Sequence, residues 1–217
     1  RRLVKSLRPA LAHHETAVAQ IEALGFSRRD VHHIIVTHLD PDHAGGLSDF
    51  PHAQVHVLAD EHAGATGRMS AKERARYLPS QWGLTTRWQL YTPRGEHWFG
   101  FESVRDLSGL PPELLMIPMS GHSRGHAAVA INTPSGWLLH CGDAYFQHGD
   151  VHAGCPCASA VTLFQRALAH NHADLLTNQR RLKGLLEDPE SPVRVFCSHD
   201  PGEFEENRMI TRRTHAH

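Results

Sequence analysis

Thr37-His38-Leu39-Asp40-Pro41-Asp42-His43-Ala44-Gly45-Gly46 decides how this chain is read, because His38, Asp40, Asp42 and His43 put four potential metal ligands within six positions. The preceding run, residues 31–37, contains Ile34, Ile35 and Val36 and ends in polar residues. A buried strand has this form where it delivers side chains to a rim. His38 and Asp40, two apart on extended chain, can face the same way, and a turn at Pro41 carries Asp42 and His43 to a second position nearby. Imidazole and carboxylate together suit Zn, Fe or Mn, whereas a structural zinc site usually uses paired cysteines. The competing reading is a solvated polar loop in a chain that holds 20 histidines.

Three later segments weigh against that alternative. They are Ser120-Gly121-His122-Ser123-Arg124-Gly125-His126, then Cys141-Gly142-Asp143-Ala144 after a strand-like 136–140, and Phe196-Cys197-Ser198-His199-Asp200 at the end of a strand over 193–196. In this order the four segments resemble the metallo-β-lactamase superfamily: its T-H-x-H-x-D-H-x-G-G signature, its G-H-[ST]-x-G-H loop, its G-D element and its last, strand-end His. The resemblance spans residues 30–200. It implies one metal ion held by His38, Asp40 and His122, a second by Asp42, His43 and His199, and Asp143 between them. It also implies two divalent metal ions as cofactors, zinc first with Fe or Mn as alternatives, in an α/β four-layer αβ/βα sandwich.

One position departs from the family's pattern. Asp40 stands where a second His is usual, so the implied site has three carboxylates, which with a bridging hydroxide cancel the charge of two divalent ions. A harder, more neutral site tolerates Fe or Mn better and polarises a substrate oxygen less. The chemistry implied is hydrolysis by a metal-bridging hydroxide, because a bound divalent ion brings the pKa of water toward neutrality. Asp42 would orient that hydroxide. Tyr145 and His126 are the nearest proton donors by sequence, each with a plainer alternative: Tyr145 packing with Phe146, and His126 propping a ligand by a hydrogen bond.

Composition bounds the rest. With 217 residues, 40% hydrophobic and 21% charged, the chain can bury a sizeable core, and it reads as one domain over 1–217. The 22 basic and 23 acidic residues leave a net charge of -1, with no electrostatic footprint for nucleic acid. No apolar run suits a membrane span and the N-terminus lacks a secretion signal, so a cytoplasmic location is expected. The partner expected is a small-molecule substrate, with oligomeric state left open. Four cysteines form no disulfide framework; Cys141 and Cys197 read as small buried hydrophobes, with oxidation sensitivity as the lesser alternative.

Patterning predicts helices over 15–24, from 70 to just before Pro79, over 158–169 and over 174–187. Strands are predicted over 31–37, 54–59, 87–92, 114–118, 127–132, 137–141 and 193–196, with Thr133-Pro134-Ser135-Gly136 as a hairpin turn. Members of the family usually begin with two or three strands ahead of the first helix. This chain has no such segment before its first helix, so it is expected to be N-terminally incomplete, with one unpaired sheet edge.

Substrate preference falls to residues 60–112, which hold Tyr77, Trp82, Trp88, Tyr91, Trp98, Phe99 and Phe101. These aromatics either wall an apolar pocket or form ordinary core. The stretch after the metal loop is more similar to the acyl-homoserine lactonase branch than to glyoxalase II or the true β-lactamases, although those lactonases usually carry a Tyr where this chain has Phe146. The expected function is a metal-dependent hydrolase of a lactone, ester or similar small acyl substrate. The alternative is an iron-dependent oxidoreductase of persulfide dioxygenase or flavodiiron type, which the carboxylate at 40 modestly favours.

Overall fold

The computed structural model describes residues 11–83, 86–102 and 107–214. In chain order the elements are α1 (Ala17–Ala23), β1 (His33–Ile35), α2 (Pro41–Ala44), β2 (Gln54–Leu58), α3 (Ala59–Gly67), α4 (Ala71–Arg76), β3 (Arg87–Tyr91), β4 (His97–Trp98), β5 (Phe101–Glu102), β6 (Leu114–Pro118), β7 (Ala127–Thr133), β8 (Gly136–His140), α5 (Ser159–Leu168), α6 (His172–Glu187), β9 (Val193–Phe196) and α7 (Pro201–Thr214). β1, β2 and β3 form a parallel sheet. β6, β7, β8 and β9 form a second, in which β6–β7 and β7–β8 are antiparallel and β8–β9 parallel.

Strand alternation sorts the side chains into layers. On β6, Leu115 and Ile117 face outward with Ala128, Leu139, Val193 and Val195, where Leu182 and Leu185 of α6 cover them. The intervening Leu114 and Met116 face inward and meet Ile35, Leu58 and Tyr91 of the first sheet. Ile34, Val55, Val57 and Trp88 point from the far face of that sheet toward Ala44 of α2 and Ala65 of α3. The order is therefore helix, sheet, sheet, helix, the expected four-layer αβ/βα sandwich. Among the described residues no helix is long and apolar enough to cross a membrane.

Expectations shift in places: the strand expected over 31–37 is His33–Ile35, and helices not expected form over Ala59–Gly67 and Pro201–Thr214. The 174–187 helix begins at His172 because the Asn171 side chain accepts hydrogen bonds from the Ala173 and Asp174 N–H groups. Most of the aromatic segment is core: Tyr77, Trp82, Trp98 and Phe101 are buried, in the clusters on the outer faces of the two sheets, while Phe99 is exposed. The pocket reading of 60–112 is thereby corrected, because the buried rings are consumed in packing secondary structure. Cys141 and Cys197 are likewise buried in the core cluster under α6, while Cys155 and Cys157 are exposed.

The C-terminal ends of β1, β6, β8 and β9 lie at one rim. The Ala127 N–H donates to Thr37 O at 2.9 Å, the Cys141 N–H to Phe196 O at 2.8 Å and the Ser198 N–H to Gly142 O at 3.0 Å. These bonds stitch the loops of both sheets together where the strands run out.

Candidate metal centre

Local chemistry aims each side chain. Thr37 Oγ1 holds His38 Nδ1 at 3.0 Å, which turns His38 Nε2 toward the rim. Pro41, whose fixed φ suits a first helical position, starts the single turn α2, and that turn swings Asp42 and His43 over His38. Gly142 has φ +52°, and a Cβ there would stand 2.7 Å from His126 Nε2 and 2.9 Å from Thr37 Cβ. Only glycine lets Asp143 enter so closely.

The side chains converge in two overlapping groups. His38, Asp40 and His122 offer ligand atoms within 4.8 Å of one another, and so do Asp42, His43 and His199. Asp143 touches both: its Oδ2 is 3.7 Å from His38 Nε2 and 3.5 Å from His122 Nε2, while its Oδ1 is 3.1 Å from His43 Nε2 and 3.2 Å from His199 Nε2. Exposure rises from one group to the other. His38 and His122 are fully buried, whereas the Asp42 side chain is 57% exposed.

The group fits divalent cations. Buried His38 Nε2, His43 Nε2 and Asp143 Oδ1 lie close to one another's groups but make no well-aligned hydrogen bond, a costly state for polar atoms unless another partner takes their lone pairs. Burial alone would depress the His38 pKa, but Asp143 and Asp40 reverse this and push it up to about 9. Burial likewise opposes ionisation of Asp143, and His38, His199 and His43 outweigh it, holding the carboxyl well below the usual range. This is a pocket of concentrated negative charge with imidazole nitrogens turned inward, the donor set that Zn, Fe or Mn takes. Elemental analysis after removal of loosely bound metal is expected to find close to two ions per chain. A ratio at or below one that does not rise on reconstitution would remove the two-ion arrangement.

Asp40 has a partner the sequence did not reveal. Arg76 Nε lies 3.0 Å from Asp40 Oδ1, while its two terminal nitrogens donate to His122 O at 2.6 Å and Leu168 O at 2.8 Å. Arg76 is buried. Its cation returns the positive charge that a third carboxylate removes, so Asp40 and Arg76 together resemble, in net charge, the neutral imidazole usual at position 40. Asp40→His alone therefore strands a buried cation and is expected to cost about 3 kcal/mol. Asp40→His with Arg76→Gln should recover at least half of that loss in urea unfolding; strictly additive losses would show that the two side chains are not coupled.

Tyr145 and His126 are not placed as proton donors. The Tyr145 hydroxyl is buried and donates to the Glu203 carboxylate, with oxygens at 2.9 and 3.1 Å. Burial, with Cys141 and Glu203 nearby, pushes its pKa far up. His126 is buried with both nitrogens engaged, Nδ1 with Met119 O at 3.1 Å and Nε2 accepting from the Asp143 N–H at 2.9 Å. Burial and then His38 and His122 keep it neutral by lowering its pKa. Both are props, His126 fixing the backbone of Asp143 itself.

Sequence reasoning missed Glu61, the hub beneath the site. Its carboxylate accepts from the Leu39 N–H at 2.9 Å, Tyr77 OH at 3.1 Å, Ser123 OH at 2.7 Å and the Gly125 N–H at 3.0 Å. It thus ties the His38 loop to the His122 loop. A Cβ on Gly125 would meet Glu61 N at 2.1 Å, so the glycine in that loop is required by this approach.

Comparison with known proteins agrees with the geometry. A family model described as the Metallo-beta-lactamase superfamily matches residues 7–199. Probable metallo-hydrolase Rv2300c of Mycobacterium tuberculosis is 40% identical over 195 residues, covering 90% of this chain and 63% of that protein, so the chain spans under two thirds of the relative's length. N-acyl homoserine lactonase AttM of Azorhizobium caulinodans is 29% identical over 199 residues, covering 89% of this chain and 67% of that protein. Among solved structures, a quorum-quenching N-acyl homoserine lactone lactonase superposes with a TM-score of 0.67 at 21% identity, covering 94% of this chain and 72% of that one. The signature loop, the layered sheets and the rim of histidines and aspartates have a common explanation: the chain belongs to the metallo-β-lactamase superfamily.

Proposed function

We propose that this chain is a metal-dependent hydrolase that opens a lactone or ester bearing an apolar tail. The observation that carries the reading is where the ligand set meets solvent: at Asp42 and His199, beside an aromatic wall. The Phe146 ring centroid is 5.0 Å from His199 and 6.2 Å from Phe164, which is 37% exposed on α5. An acyl tail laid on the exposed Phe164 ring, which the buried Phe146 backs toward His199, would hold its carbonyl over the ligands. The names of two similar proteins, both acyl-homoserine lactonases, support the same class.

Divalent cations, zinc first, would acidify water and polarise the carbonyl when bound. The chain's own residues do the rest. Asp42, the exposed carboxylate, would orient the attacking water, take its proton and pass it to the leaving alcohol. His38, His122 and Asp143, all buried, hold the reacting centre rigid and dry. The oxidoreductase alternative rests on the extra carboxylate at position 40, and Arg76 offsets that charge, so no observation favours it.

A panel of lactones with graded acyl tails, a phosphodiester and a β-lactam tests the proposal. The lactones should be opened fastest, with the rate rising by up to roughly fourfold for each methylene buried on the wall. Phe164→Ala should flatten the dependence on tail length. A preference for the phosphodiester, or indifference to tail length in the unaltered chain, would overturn the reading.

A further inference from the structure

A second cluster of ligating side chains lies outside the groups described above. His148 and His152 sit one turn apart, with the His152 N–H donating to His148 O at 3.0 Å. Their rings are parallel to within 8° with centroids 3.5 Å apart, nearer than the ~4.5–7 Å of ordinary aromatic pairs. His148 Nδ1 is 3.2 Å from Glu203 Oε1. One nitrogen of each imidazole and one Glu203 oxygen all lie within 4.8 Å of one another.

We propose that His148, His152 and Glu203 form a separate site for a single divalent transition-metal ion of the zinc type. Two imidazoles and a carboxylate are a common ligand trio for such ions, which lie in the imidazole plane at about 2.0–2.2 Å; the partly exposed His148 and His152 rings, stacked face to face as they stand, would turn edge-on by side-chain rotation to share one ion with Glu203. The carboxylate is already oriented: Glu203 is 4% exposed, and the Tyr145 hydroxyl and the Cys197 N–H, at 2.8 Å from Oε2, hold it in place. Such outer hydrogen bonds fix ligands in metal sites generally. The mouth is open, since the His148 side chain is 41% exposed, so water would complete the coordination and the ion would exchange readily.

The backbone frames the trio as well. Asp200 accepts from the His148 N–H at 2.7 Å through one oxygen, and from the Gly202 and Glu203 N–H groups at 2.8 and 3.1 Å through the other. An ion held here would pin the 148–152 turn to the first turn of α7, directly beyond His199. Its role would be to brace that junction.

The test is zinc uptake at fixed free Zn2+ by equilibrium dialysis and elemental analysis, comparing the unaltered chain with His148→Ala, His152→Ala and, as a control for surface histidines, the exposed His14→Ala. The first two should each bind one ion fewer per chain and lose part of the zinc-dependent rise in melting temperature, while His14→Ala matches the unaltered chain. If His148→Ala and His152→Ala bind as much zinc as His14→Ala, the site does not exist. Because neither histidine belongs to the rim groups, this outcome is independent of whether lactones are hydrolysed.

Discussion

Glu61→Gln is expected to lower stability by about 3 kcal/mol. The reason is directional. Oε1 takes the Leu39 N–H and Oε2 takes the Gly125 N–H. The hydroxyls of Tyr77 and Ser123 can rotate to accept from an amide, but a backbone N–H cannot reverse. Whichever oxygen becomes NH2 then faces a fixed donor in a fully buried place, and an unsatisfied buried donor costs about 1–3 kcal/mol. Two donors are set against each other here, and the loops they belong to carry His38 and His122. Urea unfolding should report the loss, and metal content should fall with it. A change below about 0.5 kcal/mol would mean that the loops are held by other contacts.

Asp42→Asn should have the opposite profile. Its side chain is mostly exposed and stands 3.7 Å from both His43 and His199 Nε2. An amide of the same shape leaves the surrounding packing intact, so stability should change by no more than about 0.5 kcal/mol. It cannot accept a proton from water, however, and turnover of a lactone should fall at least 100-fold, about 2.7 kcal/mol of barrier. Turnover within tenfold of the unaltered chain would place the water-orienting role on another residue.

What the sequence made legible was local. His38, Asp40, Asp42 and His43 announce themselves because strand and turn geometry bring near neighbours together without any knowledge of the fold. Leu114 to Pro118 is equally legible, since alternate residues of β6 serve the two faces of its sheet. Glu61 and Arg76 are not legible, because their meaning lies in partners 16 or more positions away, such as Tyr77, Leu39 and His122. The helix carrying Glu61, Ala59–Gly67, has small residues and no apolar stripe, so periodicity does not flag it. α7 does carry a local signal: Asp200 followed by Pro201, with Glu203 three positions after the cap, is a helix start. The aromatics of 60–112 leave pocket and core equally open in the sequence, because burial, not composition, decides whether a ring lines a pocket or fills a core.

The rim draws on both halves of the sandwich. His38, Asp40, Asp42 and His43 follow β1 in one sheet, whereas His122, Asp143 and His199 follow strands of the other. Neither half owns a full coordination shell. Ions seated there would act as rivets across the seam, and chelation should loosen the docking of one sheet on the other as well as silence chemistry. In chain order Asp143, shared by both groups, completes the first shell, and His199, after β9, completes the second. Metal retention would thus report that the whole sandwich had closed, a built-in proofreading of assembly.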